Sequence, residues 1–383
     1  MPQQTVCPSC AEPLDPEDAF CGACGAGLTG PPTVVDGPSP VPPCGHCGSV
    51  ELAPDGSCGA CGQARPRPRD HQEKALTGVA GVSDRGLRHH RNEDAFTVAG
   101  TSLPGGEPAV VAVVCDGVSS SSRPDEASAT AVDAACDWLL GALERGEEPA
   151  RAMRGAITAA ARAVTELAYD RTAQAQAAGG HLNAPACTYV SAVSAAGLVT
   201  IGWVGDTRAY WIPDDRESAE PYRLTEDDSW AARMVAAGLM GEAEAYADPR
   251  AHAITGWLGA DAEELVPHTV SFTPHVPGVL LVCTDGLWNY AEAATDLAFF
   301  VRADARTEPL AAARSLVDFA VAAGGHDNIT VAVLPIDPRR AAAVADHEAT
   351  LIDLPTQQAG HQDTLPDLPR VPPVPAYAPA STD

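Results

Sequence analysis

The 383-residue chain has few aromatic and few basic residues. Phe, Trp and Tyr make up 5% of it, so its core must be built from Val, Leu, Ile and Ala. Lys and Arg number 24 against 51 Asp and Glu, which gives a formal net charge of −27. Such a surface repels nucleic-acid phosphate, so nucleic acid is not an expected partner. The charge suits a protein that concentrates cations.

No apolar run reaches the roughly 20 residues that a membrane span needs. The segment Met1–Cys10 has neither a basic nor an apolar stretch, so no secretory signal is predicted. We therefore expect no membrane partner and a cytoplasmic location. In that reducing compartment, the twelve cysteines indicate metal ligation rather than disulfides.

Composition divides the chain into two cysteine-rich segments, each followed by a linker, and then a globular region and a tail. In chain order their bounds are 1–27, 28–43, 44–63, 64–76, 77–337 and 338–383. The tail is rich in Pro, Ala and acidic residues, so we expect it to be mostly disordered. It repeats a short motif at Thr350 and Thr364, which is either a phosphorylation site or a plain solvated segment.

The globular region mixes strand and helix patterns that do not alternate one to one. Apolar runs predict strands, which are Val110–Cys115, Tyr189–Ser194, Leu198–Val204, Arg208–Ile212, Val279–Cys283 and Ile329–Leu334. Four further stretches predict helices, which are Glu126–Glu144, Ala150–Gln176, Asp228–Ala237 and Pro309–Ala322. The very short loops between Tyr189 and Ile212 predict an antiparallel meander. Together these features favour an α+β fold, with helices on antiparallel sheets, over a doubly wound sheet.

The cysteines of the first 61 residues form four CxxC pairs in two sets of matching spacing. The sets are Cys7, Cys10, Cys21 and Cys24, and then Cys44, Cys47, Cys58 and Cys61. Two CxxC turns together supply four thiolates, the tetrahedral ligand set that suits Zn²⁺. We therefore predict two structural zinc ions in two small zinc ribbons, which would contact protein partners rather than DNA. The alternative is an iron–sulfur or redox dithiol site.

Acidic residues stand beside apolar runs at five places in the globular region. They are Glu93 with Asp94, Asp116, Asp206, Asp285 and Asp327. One Asp-Gly after a strand is an ordinary turn, but acids at several strand ends can converge. A convergent cluster is tolerable where cations neutralise it, and oxygen ligands select Mg²⁺ or Mn²⁺. Two such ions can share and activate a water, which suits the slow hydrolysis of a phosphate monoester.

Five motifs occur in a fixed order over about Gly78 to Ile336. They are Ser83–Phe96 (SDRGLRHHRNEDAF), Val113–Ser122 (VVCDGVSSSS), Val204–Tyr210 (VGDTRAY), Leu281–Asn289 (LVCTDGLWN) and Gly324–Val331 (GGHDNITV). In combination they resemble the PPM family of metal-dependent Ser/Thr protein phosphatases, the type 2C class. The resemblance implies a four-layer α-β-β-α sandwich of two antiparallel sheets flanked by helix pairs. It also implies hydrolysis of phosphoserine and phosphothreonine in proteins that Ser/Thr kinases have phosphorylated.

The same resemblance implies a set of metal ligands for two or three Mn²⁺ or Mg²⁺ ions. Asp116 would bridge two ions, the Gly117 carbonyl would touch the second, and Asp285 and Asp327 would complete the first site. Glu93 and Asp94 would bind the second ion, directly or through water. Asp206 would help to hold a third, looser ion.

The chain departs from the family pattern around the phosphate and the substrate. His89 occupies the usual position of the phosphate-binding Arg, so Arg88 or Arg91, which flank it, would bind phosphate instead. Val118 stands where eukaryotic members have a His. The family's Gly-Thr-Thr strand is here Ala186-Cys187-Thr188. Near the family's mobile flap, Asp228 stands where a His is common, and Trp257 stands where an Arg is common. The alternative functions are therefore a phosphoprotein-binding adaptor without turnover and a zinc-ribbon regulator that binds nucleic acid, which the charge of −27 opposes.

Overall fold

The computed structural model describes residues 5–6, 13–14, 47–51, 53, 58–62, 67–176 and 183–338, with the side chains of 5–6, 13–14 and 170–176 excepted. The chain divides into two compact units, Met1–Asp70 and His71–Asp383. In the first unit, β1 (Thr5–Val6) pairs with β2 (Pro13–Leu14), and a 3-10 turn spans Pro68–Asp70. The first cysteine set, Cys44 and the tail lie outside the described residues.

The second unit is built on two antiparallel sheets. The strands of the six-stranded sheet are β3 (His71–Leu76), β4 (Val79–Asp84), β10 (Arg208–Pro213), β11 (Tyr222–Arg223), β14 (Gly278–Cys283) and β15 (Ile329–Ile336), in the spatial order β11-β10-β14-β15-β4-β3. The strands of the five-stranded sheet are β5 (Ala95–Ser102), β6 (Pro108–Cys115), β8 (Tyr189–Ala195), β9 (Leu198–Val204) and β13 (His268–Phe272), in the order β13-β9-β8-β6-β5. A short pair joins β7 (Ala186–Cys187) to β12 (Leu258–Gly259).

The central strands bury both faces, which explains why they appear as continuous apolar runs. Along β6, Val111 and Val113 contribute to one core cluster, while Ala112 and Val114 contribute to another that also holds Val282 of β14. Because successive side chains of a strand point to opposite faces, one face of β6 contacts the second sheet and the other contacts helices.

Helices pack against each sheet. Helices α1 (Pro124–Glu144) and α2 (Pro149–Gln176) share a core cluster with the five-stranded sheet. Helices α5 (Asp285–Trp288), α6 (Ala294–Phe300) and α7 (Pro309–Ala322) do the same on the six-stranded sheet. Helices α3 (Trp230–Ala236) and α4 (Glu242–Tyr246) form a small separate cluster. Within the described ranges, none of the helices has the length and apolarity to cross a membrane.

The predicted α+β class is confirmed, and the predicted strands and helices lie within two residues of the observed bounds. The predicted meander is wrong in its last strand. Strand β9 pairs with β8, but β10 pairs with β14 and β11 in the other sheet, so the chain crosses the sandwich between Val204 and Arg208. A short loop between two fully buried strands does not distinguish a hairpin from such a crossing. Residues 71–76, predicted as linker, form β3 and pair with β4.

Candidate metal centre

Acidic residues from both sheets meet at strand ends. Asp116 follows β6, Asp206 lies two residues after β9, and Asp285 begins α5 just after β14. Asp94 directly precedes β5, and Asp327 lies just before β15. The charges of Asp94, Asp206, Asp285 and Asp327 all act on the carboxyl group of Asp116. The structure thus brings together the acids that the sequence placed at separate strand ends, apart from Glu93.

Burial is the main cause of the raised pKa values in this cluster. It raises the pKa of Asp116 well above its ordinary value, and the neighbouring Asp94 and Asp285 raise it further. Burial, with the charge of Asp285, raises the pKa of Asp206 to about 8. Burial, with the charge of Asp327, raises the pKa of Asp285 to about 6. Each carboxylate therefore resists ionisation unless a cation compensates its charge.

Two threonine hydroxyls hold the Asp94 carboxylate. Its Oδ2 accepts hydrogen bonds from Thr284 Oγ1 at 2.9 Å and from Thr330 Oγ1 at 2.7 Å. Burial nevertheless raises the pKa of Asp94 to about 8, although these two hydroxyls lower it. Sequence reasoning missed both threonines. The available signal was their position, since Thr284 directly precedes Asp285 and Thr330 lies three residues after Asp327.

The donor set of the cluster fits hard divalent cations. Asp285 Oδ1 is buried, and among the described residues no N–H or O–H donates to it. The cluster offers carboxylate oxygens, which Mg²⁺ and Mn²⁺ prefer. At Gly117 a Cβ atom would lie 2.5 Å from the Pro124 carbonyl oxygen and 2.7 Å from that of Glu93. Only glycine therefore lets the backbone pass at this point next to Asp116.

The structure places the Glu93 carboxylate among other partners. Its Oε1 accepts a hydrogen bond from Arg91 Nε at 2.8 Å, and its Oε2 accepts one from Ser119 Oγ at 2.6 Å. The Glu93 backbone N–H donates to Asn328 Oδ1 at 2.7 Å. Ser119 thus has a defined partner beside the cluster.

The segment around His89 lies against the loop that carries Asp327. His89 Nε2 is 3.1 Å from Asp327 Oδ1. Arg91 is engaged with Glu93 and also lies 3.6 Å from Asp125. Arg88 is exposed, and its guanidinium forms no ion pair with the part of the chain that the structure describes. The two arginines that sequence reasoning left open therefore differ, because one is already paired with carboxylates.

A buried network supports the loop of Asp206. Trp288 Nε1 donates to the Asp206 carbonyl oxygen at 3.0 Å, and the Arg208 guanidinium lies 3.5 Å over the Trp288 ring. Arg208 is held by Asp227, with Nε to Oδ1 at 2.9 Å. The Gly205 N–H donates to Asp228 Oδ2 at 2.8 Å. The loop that crosses between the sheets is therefore fixed from both sides.

The cysteines separate into two groups. Three members of the second CxxC set, Cys47, Cys58 and Cys61, have sulfur atoms within 4.8 Å of one another. The four cysteines of the second unit are buried in its core clusters; they are Cys115, Cys136, Cys187 and Cys283.

The chain matches the family model described as protein phosphatase 2C over residues 87–319. It is 28% identical over 252 residues to the serine/threonine phosphatase stp of Listeria innocua. The aligned stretch covers 65% of this chain and 92% of that protein. Its fold is similar to that of the PPM Ser-Thr phosphatase MsPP from Mycobacterium smegmatis in complex with cacodylate, with a TM-score of 0.51 at 25% identity over 69% of this chain and 100% of that one. It is also similar to the serine/threonine phosphatase Stp1 from Staphylococcus aureus, with a TM-score of 0.54 at 21% identity over 72% of this chain and 99% of that one. Because the family model covers more than half of the chain, the chain belongs to the protein phosphatase 2C family of PPM-type serine/threonine phosphatases.

Proposed function

We propose that this chain hydrolyses phosphoserine and phosphothreonine in proteins, with Mn²⁺ or Mg²⁺ held by the carboxylate cluster. The observation that carries the proposal is the convergence of five acids from both sheets, four of which have pKa values that desolvation raises. Such a cluster is costly to a fold unless cations bind there. Family membership supports the same reaction.

The roles of the individual ligands follow from their places in the cluster. Asp116 is the acid on which the charges of the other four act, so it would be the central ligand of the cations, with Asp285 and Asp327 beside it. The Gly117 carbonyl and Asp94 would serve the second ion, and Asp206 a third; Glu93 would act through water, since Arg91 and Ser119 already bind its carboxylate. When bound, the cations would neutralise the charge of the acids and of the phosphate and would activate water for the hydrolysis.

Arg88 is the residue we assign to the phosphate. Its guanidinium is exposed and unpaired within the described residues, whereas Arg91 is engaged with Glu93 and Asp125. Its neighbours on both sides contact the Asp327 loop, since the Leu87 N–H donates to the Gly325 carbonyl and His89 contacts Asp327. His89 would hold the Asp327 carboxylate in place.

The finer plan of the molecule is also proposed. Three core clusters support a four-layer order of helices, two sheets and helices. The substrates would be phosphoproteins produced by Ser/Thr kinases, and the number of cysteines suits the cytoplasm. The cysteine-rich segments 1–27 and 44–63 would be zinc ribbons that contact proteins, and 338–383 a disordered tail.

The test is hydrolysis of a phosphothreonine peptide by the full chain, with and without Mn²⁺. Asp116→Asn should lower kcat/KM at least ~100-fold, because it removes the central ligand. Asp137→Asn, an exposed acid on α1, is the matched control and should keep wild-type activity. Tight binding of the peptide without turnover by the Mn²⁺-loaded wild type would favour the adaptor instead.

A further inference from the structure

Three thiols of the first unit face one another. The sulfur atoms of Cys47 and Cys58 are 3.5 Å apart, and Cys61 lies within 4.8 Å of both. Cys47 belongs to one CxxC pair, while Cys58 and Cys61 form the next. The contact therefore joins two separate turns of the chain, and the side chains of both turns point toward a common position.

The sulfur spacing suits a shared metal ion. A disulfide would bring two sulfur atoms to about 2.0 Å. In a tetrahedral zinc site with Zn–S bonds of about 2.3 Å, the sulfur atoms lie about 3.8 Å apart. The observed 3.5 Å between Cys47 and Cys58 is close to the second value and far from the first.

The backbone of both turns supports this arrangement. Gly48, after Cys47, and Gly62, after Cys61, have φ values of +74° and +70°, a conformation that glycine adopts without strain. The Gly62 N–H donates to the Cys58 carbonyl at 2.8 Å, which closes the second turn. The Gly59 N–H donates to the Glu51 carbonyl at 2.9 Å, which ties the second turn to the residues after the first.

We propose that Cys47, Cys58 and Cys61 bind one Zn²⁺ as thiolates, at a structural site chemically distinct from the carboxylate cluster. Thiolates select zinc, whereas carboxylates select Mg²⁺ and Mn²⁺. Of residues 47–51, 53, 58–62 and 67–70, whose burial the structure describes, only Cys58 is buried. A bound metal would therefore add stability at this site.

Metal content tests the site in the full chain. We expect the Cys58→Ser/Cys61→Ser variant to contain one zinc ion fewer per chain than the wild type, as measured by plasma mass spectrometry of purified protein. Cys136→Ser is the matched control, because that cysteine is buried in α1, and its zinc content should equal that of the wild type. Phosphopeptide hydrolysis by the double variant should remain within about twofold of wild type, so failure of this site is distinguishable from failure of the proposed function.

Alkylation of the wild-type chain provides a second readout that needs no folded variant. Cys47 and Cys61 are exposed, so they should react quickly with iodoacetamide in the metal-free chain. Zinc should protect them, and a chelator should remove the protection, as read by peptide mass spectrometry. Equal zinc content in variant and wild type, iron in place of zinc, a Cys47–Cys58 disulfide, or rapid alkylation of the zinc-loaded chain would each overturn the proposal.

Discussion

Single acids in the carboxylate cluster link the stability of the protein to pH. The folded chain raises the pKa of Asp94 and Asp206 to about 8 and that of Asp285 to about 6. The pKa of an Asp in an unfolded chain is about 3.9. Between about pH 4 and pH 8 the folded state therefore binds more protons than the unfolded state. Linkage then requires the free energy of unfolding of the metal-free protein to fall as the pH rises through this window.

We predict that the Tm of the chain in EDTA is higher at pH 5.5 than at pH 8. The slope has an upper bound of about 1.4 kcal/mol per pH unit for each titrating group. Asp206→Asn should flatten the slope, whereas Asp137→Asn should leave it unchanged, and Mn²⁺ should restore the Tm at pH 8 because it binds the ionised acids. Equal slopes for wild type and Asp206→Asn, measured by scanning calorimetry, would contradict the protonated cluster.

The assignment of the phosphate to Arg88 predicts unequal effects of two similar substitutions. Arg88→Ala should lower kcat/KM for a phosphopeptide by about 10–100-fold, the range for one hydrogen-bonded ion pair. Arg91→Ala should lower it less, because Arg91 is already engaged with Glu93 and Asp125. Arg88→Lys, which keeps the charge but not the planar fork, should recover part of the loss. A larger loss in Arg91→Ala than in Arg88→Ala would reverse the assignment.

Among the strands, those that could be predicted from the sequence are the ones buried on both faces. Strands β6, β8, β14 and β15 appear as apolar runs for that reason. All six side chains of β3 are exposed, so β3 has no apolar pattern and exists because β4 lies beside it. Likewise, the acids of the site could be found from their positions at strand ends. Their hydrogen-bond partners, such as Thr330 for Asp94, depend on which strands are neighbours, and the sequence does not give that order.

The loop that carries the chain from β9 to β10 depends on one glycine. Gly205 has a φ of +101°, and a Cβ atom there would lie 2.6 Å from Thr188 Cβ. Gly205→Ala should therefore lower the free energy of unfolding by about 2 kcal/mol or more, measured by urea denaturation of the metal-free chain.

Gly105→Ala is the control for that substitution. No atom lies within 4 Å of a Cβ at Gly105, and its φ is not positive, so the change should stay within about 0.5 kcal/mol. Because Asp206 follows Gly205 directly, Gly205→Ala should also lower phosphopeptide hydrolysis. Equal stability of the two variants would show that the crossing loop tolerates a side chain.

At the scale of the whole molecule, the second compact unit begins at His71, six residues before the predicted start of the phosphatase domain at Thr77. Strand β3 pairs with β4 along its full length. Glu73 also forms two hydrogen bonds with Arg314 of α7, at 2.8 and 2.5 Å, and Lys74 Nζ donates to Thr97 Oγ1 of β5 at 2.9 Å. An all-exposed strand thus joins three elements, and it covers the backbone edge of β4, whose side chains are mostly buried.

We predict that a chain of residues 71–383 keeps the activity of the full protein on a phosphopeptide, while a chain of residues 77–383 is less stable and self-associates. Removing β3 leaves the N–H and C=O groups of β4 unpaired at a sheet edge, which other chains can add to. A loss of about 2 kcal/mol would lower the Tm by roughly 4–8 °C in a domain of this size. Glu73→Gln in the 71–383 chain removes the ion pair with Arg314 but keeps the strand, so it distinguishes the two contributions. Since Glu73 and Arg314 are exposed, this substitution should lower the free energy of unfolding by less than about 1 kcal/mol. Equal Tm values and light-scattering masses per chain for the two truncations would show that β3 is dispensable and that the unit begins after it.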